Sequence, residues 1–306
     1  MRIGQWSIAS TKRSILNGAE IEAAEKALSL PLPEMTFGNN SLVLTFEPSG
    51  FGSRASIPVT SAGPDSSAST SAPDSSVAAD SQIRLAFDTL TALGQVATGE
   101  GWEDRVGGGV LVSMAEKWSK RVLSDIPLST KPTFRPSETH EIPLALLARQ
   151  DPVLDRILFY DDVALFEDEL HDNGESILNA RIRVMPHSFF ILSRLFVRVD
   201  NVLFRIYDVR VYHEFGSNEI IRECSGLEAD YDEVKLKQTD LSPLDDANFV
   251  YQALGKITAA KADQEPSTPS KRGKPWPGLG RRVEVLTLPG EVSVESASKG
   301  IEQMAL

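Results

Sequence analysis

"ARIRVMPHSFFILSRLFVRVDNVLFRIYDVRVYHEF", residues 180–215, decides the fold. Its β-branched and aromatic residues recur with period two, the pattern of successive half-buried strands. Two breaks interrupt the run, Pro186-His187 and Asp200-Asn201. The second is a good two-residue hairpin loop, because Asp and Asn tolerate positive φ. The stretch therefore reads as an antiparallel meander, spanning about residues 177–223. Taking Asp200-Asn201 as the loop sets Val199 opposite Val202, and each step outward alternates faces. One face then collects Ile182, Val184, Ile191, Leu195, Val197, Val199, Val202, Phe204 and Ile206, the expected core. The other face collects Arg181, Arg183, Arg194, Arg198 and Arg205, interleaved with Phe190, Phe196, Leu203 and Tyr207.

Outward from the meander, "SLVLTFE" (41–47) alternates like another strand. "GAEIEAAEKALSL" (18–30) has helical spacing and stops before Pro31, and "IRLAFDTLTALGQVA" (83–97) reads as an amphipathic helix. "GVLVSMAEKW" (109–118) could open as a strand. The fold class expected is α+β, an antiparallel meander core with a few packed helices. Residues 61–81 are rich in Ser, Ala, Pro and Asp and lack the apolar mass to order themselves. From about residue 261 the chain turns Pro-, Gly- and Lys/Arg-rich. The expectation is one domain over residues 1–260 with a disordered insertion at about 60–81, followed by a disordered tail over 261–306. Lys271, Arg272, Lys274, Arg281 and Arg282 in that tail suit either a solvated linker or a nuclear-localisation or phosphate-binding patch.

Composition narrows the function. Lys plus Arg number 31 against 43 Asp plus Glu, a formal net charge of −12. That balance disfavours general binding to nucleic acid or anionic membranes. Cys224 is the only cysteine, so no internal disulfide is available, as suits a reducing compartment. With no signal-peptide core and no long apolar run, a cytoplasmic or nuclear location is expected.

Five arginines on one face of an acidic protein invite two readings. In one, the preceding strand (about 160–170) neutralises Arg181 and Arg183 with either Asp162 and Asp168 or Glu167 and Glu169. In the other, some arginines stay unpaired and receive an acidic, aromatic segment from a partner. The acid-rich "LFEDELHDNGES" (165–176) surrounds His171 with carboxylates, but its spacing matches neither a calcium loop nor a zinc helix. Asp172-Asn173-Gly174 is turn chemistry. Cys224 has no nucleophile signature around it, and no Gly-x-Ser-x-Gly elbow occurs. The remaining catalytic candidate is a hydrolase cluster around Asp208, His213 and Glu214, which alternation divides between two faces. No catalytic residue, metal or cofactor is expected.

In order along the chain, "LPLPEMTFGNN", "PSGFG", "MAEKW", "LFEDELHDNG", "IRVMPHSFF" and "RVDNVLFRIYDVRVYHE" resemble the TIPRL family of TOR-signalling-pathway regulators, the Tip-forty-one-like proteins. These blocks cover most of residues 6–57 and 110–223. The resemblance implies a mixed α and β fold and a non-enzymatic regulator that binds the catalytic subunits of type 2A family phosphatases. It implies a grip on the acidic, aromatic C-terminal tail of the phosphatase. A second implied partner is the alpha-four/Tap-type phosphatase-binding subunit; a scaffold that binds only this subunit is an alternative. By motif, Ile206 and Asp208 in "RIYDVR" and Ile142 in "THEI" lie near the family's tail-binding groove. Arg205, Arg210 and Tyr212 complete the candidate partner-binding set. One departure stands out: "SKRVLSDIPLSTKPTFRPS" (119–137) occupies the place of the family's Asp-Trp-Thr-Tyr-Thr-Thr strand.

Overall fold

A computed structural model describes residues 1–28, 31–48, 83–89, 134–235, 240–262 and 279–288. The expected insertion (61–81), the segment 109–118 and most of 119–137 lie outside the described residues. Two antiparallel sheets form among those described. The smaller has order β1-β2-β4-β5, from β1 (Arg2–Ile3), β2 (Trp6–Thr11), β4 (Ser41–Phe46) and β5 (Ile83–Asp88). The larger has order β3-β7-β8-β9-β10-β11-β12-β6. Its strands are β3 (Met35–Thr36), β6 (Arg135–Pro136), β7 (Phe159–Asp168), β8 (Gly174–Val184), β9 (Ser188–Val199), β10 (Leu203–Glu214), β11 (Glu219–Asp230) and β12 (Gly280–Thr287).

The helices are α1 (Gly18–Leu28), the single turn α2 (Leu144–Leu147), α3 (Tyr231–Lys235) and α4 (Ala247–Ala262), with a 3-10 turn at Ser242–Asp245. Asn17 starts α1 by a reciprocal cap: its Oδ1 accepts the Glu20 N–H, and the Glu20 carboxylate accepts the Asn17 N–H. None of the described helices is long and apolar enough to cross a membrane.

The sheets stack face to face. Ile8, Leu42, Leu44, Ile83, Leu85 and Phe87 of the smaller sheet share one buried cluster with Val163, Ile182, Phe189, Ile191, Val197, Val209 and Val211 of the larger. Trp6 anchors the junction, its ring 5.0 Å from Phe189. Each such apolar side chain, fully buried, contributes about 1.5–3 kcal/mol. The opposite face of β9–β11 carries a second cluster. There Phe196, Phe204, Ile206 and Ala229 pack under Tyr231, Val234, Leu244, Val250 and Leu254 from α3, the 3-10 turn and α4. The order through the molecule is sheet, sheet, helix, an α+β architecture as expected.

Three sequence expectations change. Residues 83–88 are a strand, because Ile83, Leu85 and Phe87 point inward while Arg84 is exposed; period two wins over the helical spacing. The tail expected to be disordered from 261 contributes β12, paired with β11 from Glu219↔Thr287 to Gly226↔Gly280.

The third change is in register. The Met185 N–H bonds Ser188 O, so Pro186-His187 is the tight turn expected. At the next hairpin the Val202 N–H bonds Val199 O, with Asn201 at φ 59°, yet Val199 pairs with Leu203. Val202 is one extra residue, a bulge, and the slip reverses every later side chain. Phe204 and Ile206 therefore leave the inter-sheet core for the helix side. Leu203, Arg205 and Tyr207 move the other way.

Candidate partner-binding site

Strand register assembles the site. Residues opposite one another share a face, so Asp208 joins Arg194 and Ser225, Arg210 joins Leu192 and Glu223, and Tyr212 joins Phe190. Arg181 and Arg183 of β8 lie opposite Leu192 and Phe190 on that same helix-side face. The arginine face exists, with Arg210 in the place expected for Arg205. Arg205 lies on the inter-sheet side and bonds Glu228 at 2.7 Å.

The face has three zones. At one end α4 closes it: Ile206 is fully buried beneath Val250 and Leu254. In the middle, Asp208 is fully buried and takes two bonds from Arg194, at 2.7 and 2.8 Å, and one from Arg210 at 2.6 Å. Arg210 also donates to Glu223 at 2.7 Å, and Arg281 of β12 reaches that carboxylate at 3.0 Å. Burial works against the charge of Arg210, but Asp208, Tyr251 and Glu223 outweigh it and raise its pKa. Tyr251 of α4 lies under both guanidinium groups, 4.9 Å from Arg194 and 5.1 Å from Arg210. Asn248 adds an acceptor at 2.9 Å from Arg194. Three arginines and two carboxylates thus lock β9–β12 to α4.

The third zone is open. Residues 144–157 wrap over the β8–β9 turn and leave a cleft of about 370 Å³, with Arg183, Met185, Ser188, Tyr212 and Glu214 along one side. Leu146, Leu147, Leu154 and Ile157 line the other. Local bonds hold the wrap in place. Asp151 accepts the N–H groups of Leu154 and Val153, both at 2.8 Å, which lowers its pKa, and Asp155 accepts the Asp151 N–H. The Leu158 N–H ties the segment to Val184 O, and Arg183 donates to Leu147 O at 3.1 Å. Burial pushes the Tyr212 hydroxyl up, with the Glu214 charge adding to it, while a bond with Ser188 works the other way.

Of the six candidate residues, Ile206, Asp208, Arg210 and Tyr212 lie on one face and Arg205 does not. Ile142 is buried just before α2. The acids expected to meet the arginines do so in part, with Asp162 bonding Arg181 at 2.7 Å. The hydrolase cluster is not assembled. Asp208 and Glu214 face the helices while His213 points between the sheets, among Trp6, Phe189 and Phe215, with Nδ1 2.9 Å from Glu219 O. Cys224 is buried at the same inter-sheet core, and burial raises its thiol pKa.

The acid-rich stretch is a hairpin turn. Leu170, His171 and Asp172 all adopt positive φ, and Asp168 accepts the Leu170 N–H. A Cβ on Gly174 would lie 2.0 Å from Arg198 O, so only glycine fits there. Among the described residues no group of three or more His, Cys, Asp or Glu is arranged to hold a metal. The sequence reading missed the 144–157 wall. The only sign of it was an apolar run, "PLALLARQDPVLDRILF", without helix or strand periodicity.

Comparison with known proteins matches a model of the TIP41-like family to residues 127–235. A TIP41-like protein of Dictyostelium discoideum is 34% identical over 284 residues, covering 83% of this chain and 88% of that protein. The type 2A phosphatase activator TIP41 of Saccharomyces cerevisiae is 34% identical over 276 residues, covering 82% and 70%. A human TIP41-like protein is 32% identical over 233 residues, covering 74% and 75%. This chain belongs to the TIP41-like family.

Proposed function

We propose that this protein is a regulator that binds the catalytic subunit of type 2A family protein phosphatases and acts without chemistry of its own. The observation that carries this reading is its identity, across most of its length, to the budding-yeast protein named as a type 2A phosphatase activator. A second relative named in the same way, from Schizosaccharomyces pombe, supports it. The helix-side face agrees in chemistry: arginines, a half-open cleft and aromatic side chains suit an acidic, aromatic segment. In this reading the C-terminal tail of the phosphatase docks on that face, from Arg210 to Tyr212. The role belongs to TOR nutrient signalling in cytoplasm or nucleus, with an alpha-four/Tap-type subunit as a further partner.

Ile206 and Asp208 act within it as supports. Both are fully buried, and Asp208 holds Arg194 and Arg210 in place. The reading is tested by mixing this chain with a purified type 2A catalytic subunit and following both complex formation and dephosphorylation of a phosphopeptide. A 1:1 complex with altered turnover supports it. A catalytic subunit that elutes alone with unchanged turnover refutes it.

A further inference from the structure

The hairpin turn between β7 and β8 holds chemistry that partner binding does not use. Leu170, His171 and Asp172 all take positive φ, a costly run for residues with side chains. Asn173 clasps that run. Its backbone N–H bonds Leu170 O at 3.2 Å, and its side-chain Nδ2 donates to His171 O at 2.8 Å and to Leu170 O at 3.3 Å. Its carbonyl accepts the Asp200 N–H at 2.8 Å, which ties the turn to the β9–β10 hairpin.

Gly174 follows, with no room for a side chain against Arg198 O. The fold thus sets glycine, the least hindered backbone nucleophile, directly after an exposed asparagine. Because Asn173 bonds Asp200 across the ladder, the next pair, Gly174↔Val199, is of the kind that exchanges no hydrogen bonds. The Gly174 N–H therefore points away from β9, and pairing with β7 starts only at Ser176. That nitrogen is free of both neighbouring strands.

We infer that Asn173-Gly174 is a site of spontaneous deamidation and isoaspartate formation. The Gly174 nitrogen attacks Cγ of Asn173, the Cγ–Nδ2 bond breaks, and ammonia leaves carrying the Gly174 proton, which closes a cyclic imide. Water then opens the imide. Cleavage at the side-chain carbonyl leaves aspartate. Cleavage at the main-chain carbonyl leaves isoaspartate, whose backbone is longer by a methylene. Either product destroys the clasp, since a carboxylate accepts hydrogen bonds and cannot donate to His171 O and Leu170 O. Either also adds a charge beside a cavity lined by Glu169, Asp172, Glu175, Asp200 and Asp245 around Arg198. Burial already raises the Glu175 pKa there, with Glu167, Asp200 and Glu169 adding to it against Arg198. Isoaspartate further displaces Gly174 from its seat on Arg198, the residue that holds Asp245 of the 3-10 turn.

The chain has one other Asn-Gly pair, Asn17-Gly18. There Oδ1 and the backbone N–H of Asn17 form the cap of α1, so ring closure must first undo a helix terminus. Asn201 is followed by Val202, whose branched side chain shields the nitrogen.

The test incubates the full chain at neutral and at mildly alkaline pH. Isoaspartate is then labelled with an isoaspartyl methyltransferase and tritiated S-adenosylmethionine, and peptide mapping places the label. Label accumulates with time in the peptide that holds Asn173, faster at the higher pH because the attacking nitrogen must shed its proton. Asn173→Gln and Asn173→Ser both abolish it there, and either one suffices as the control if the other fails to fold. Aged wild type melts earlier than fresh protein, whereas each variant melts alike before and after incubation. Absence of label at Asn173 in the folded chain, whatever happens at Asn17, overturns the inference. Label at Asn173 with an unchanged thermal midpoint overturns the role given to its amide in holding the turn.

Discussion

Replacing Asp208 with asparagine keeps the shape of the side chain and removes its charge. In the folded protein that carboxylate lies fully buried and receives three bonds, two from Arg194 and one from Arg210. Arg210 retains Glu223 at 2.7 Å, but Arg194, whose side chain is only 8% exposed, is left with neutral acceptors on α4. Breaking a buried pair by removing one partner costs about 3–5 kcal/mol, because the stranded charge stays out of water. Domains of this kind have a total stability of about 5–15 kcal/mol, so the loss is severe and falls on the whole fold. The comparison is Asp162→Asn, which breaks the half-exposed pair with Arg181 and costs about 0.2–1 kcal/mol. Urea unfolding followed by tryptophan fluorescence, with far-ultraviolet dichroism as a second probe, reads both. Asp208→Asn is expected to lower the midpoint sharply at unchanged slope, while Asp162→Asn scarcely moves it. If Asp208→Asn costs less than about 1 kcal/mol, the buried network is not holding the strands to α4, and the supporting role given to Asp208 is wrong.

Other expectations follow from single features. Deleting Val202 removes the bulge and turns Asp208 toward the inter-sheet core. The expected outcome is failure to fold, read as loss of soluble protein; a stable, well-folded deletion would refute the register argument. Asn201→Val places a β-branched residue at φ 59° and should cost about 1–2 kcal/mol, whereas Asn201→Gly should be nearly neutral, both measured by thermal unfolding. Burial lowers the His213 pKa, so the unfolded chain takes up a proton first as pH falls. Stability is therefore lost as pH drops below about 6.5 toward the folded-state pKa, with a slope of at most about 1.4 kcal/mol per pH unit. His213→Phe should flatten that slope between pH 6.5 and 5, and an unchanged profile would contradict it. Cys224, buried with a raised pKa, should react with a thiol reagent only on unfolding.

The meander was legible because its turns carry strong local chemistry. Pro186-His187 and Asp200-Asn201 both fall at hairpin turns, and β8 and β9 have the faces expected. Register beyond Asn201 was not legible, for a physical reason. Strand β10 is buried on both sides, with Tyr207, Val209 and Val211 toward one sheet and Phe204 and Ile206 toward the helices. A strand apolar on both faces looks the same after a one-residue slip, so alternation cannot reveal the bulge at Val202. Arg205 was misplaced and Arg210 undervalued for this one reason. Strand β12 hid for another: its sequence follows a Pro- and Gly-rich run, and only pairing with β11 shows its role. The cleft wall at 144–157 is held by Asp151 and Asp155 bonding nearby backbone, a local arrangement with no periodic signature.

The most direct test of the central claim is calorimetric titration of this chain with a type 2A phosphatase catalytic subunit, intact and lacking its C-terminal tail. A regulator that reads the tail at its helix-side face binds the intact subunit, and its affinity falls at least about tenfold, or 1.4 kcal/mol, when the tail is removed. Equal affinity for the two forms would contradict tail recognition and move the interface elsewhere. Failure to bind either form would contradict the assignment as a phosphatase regulator.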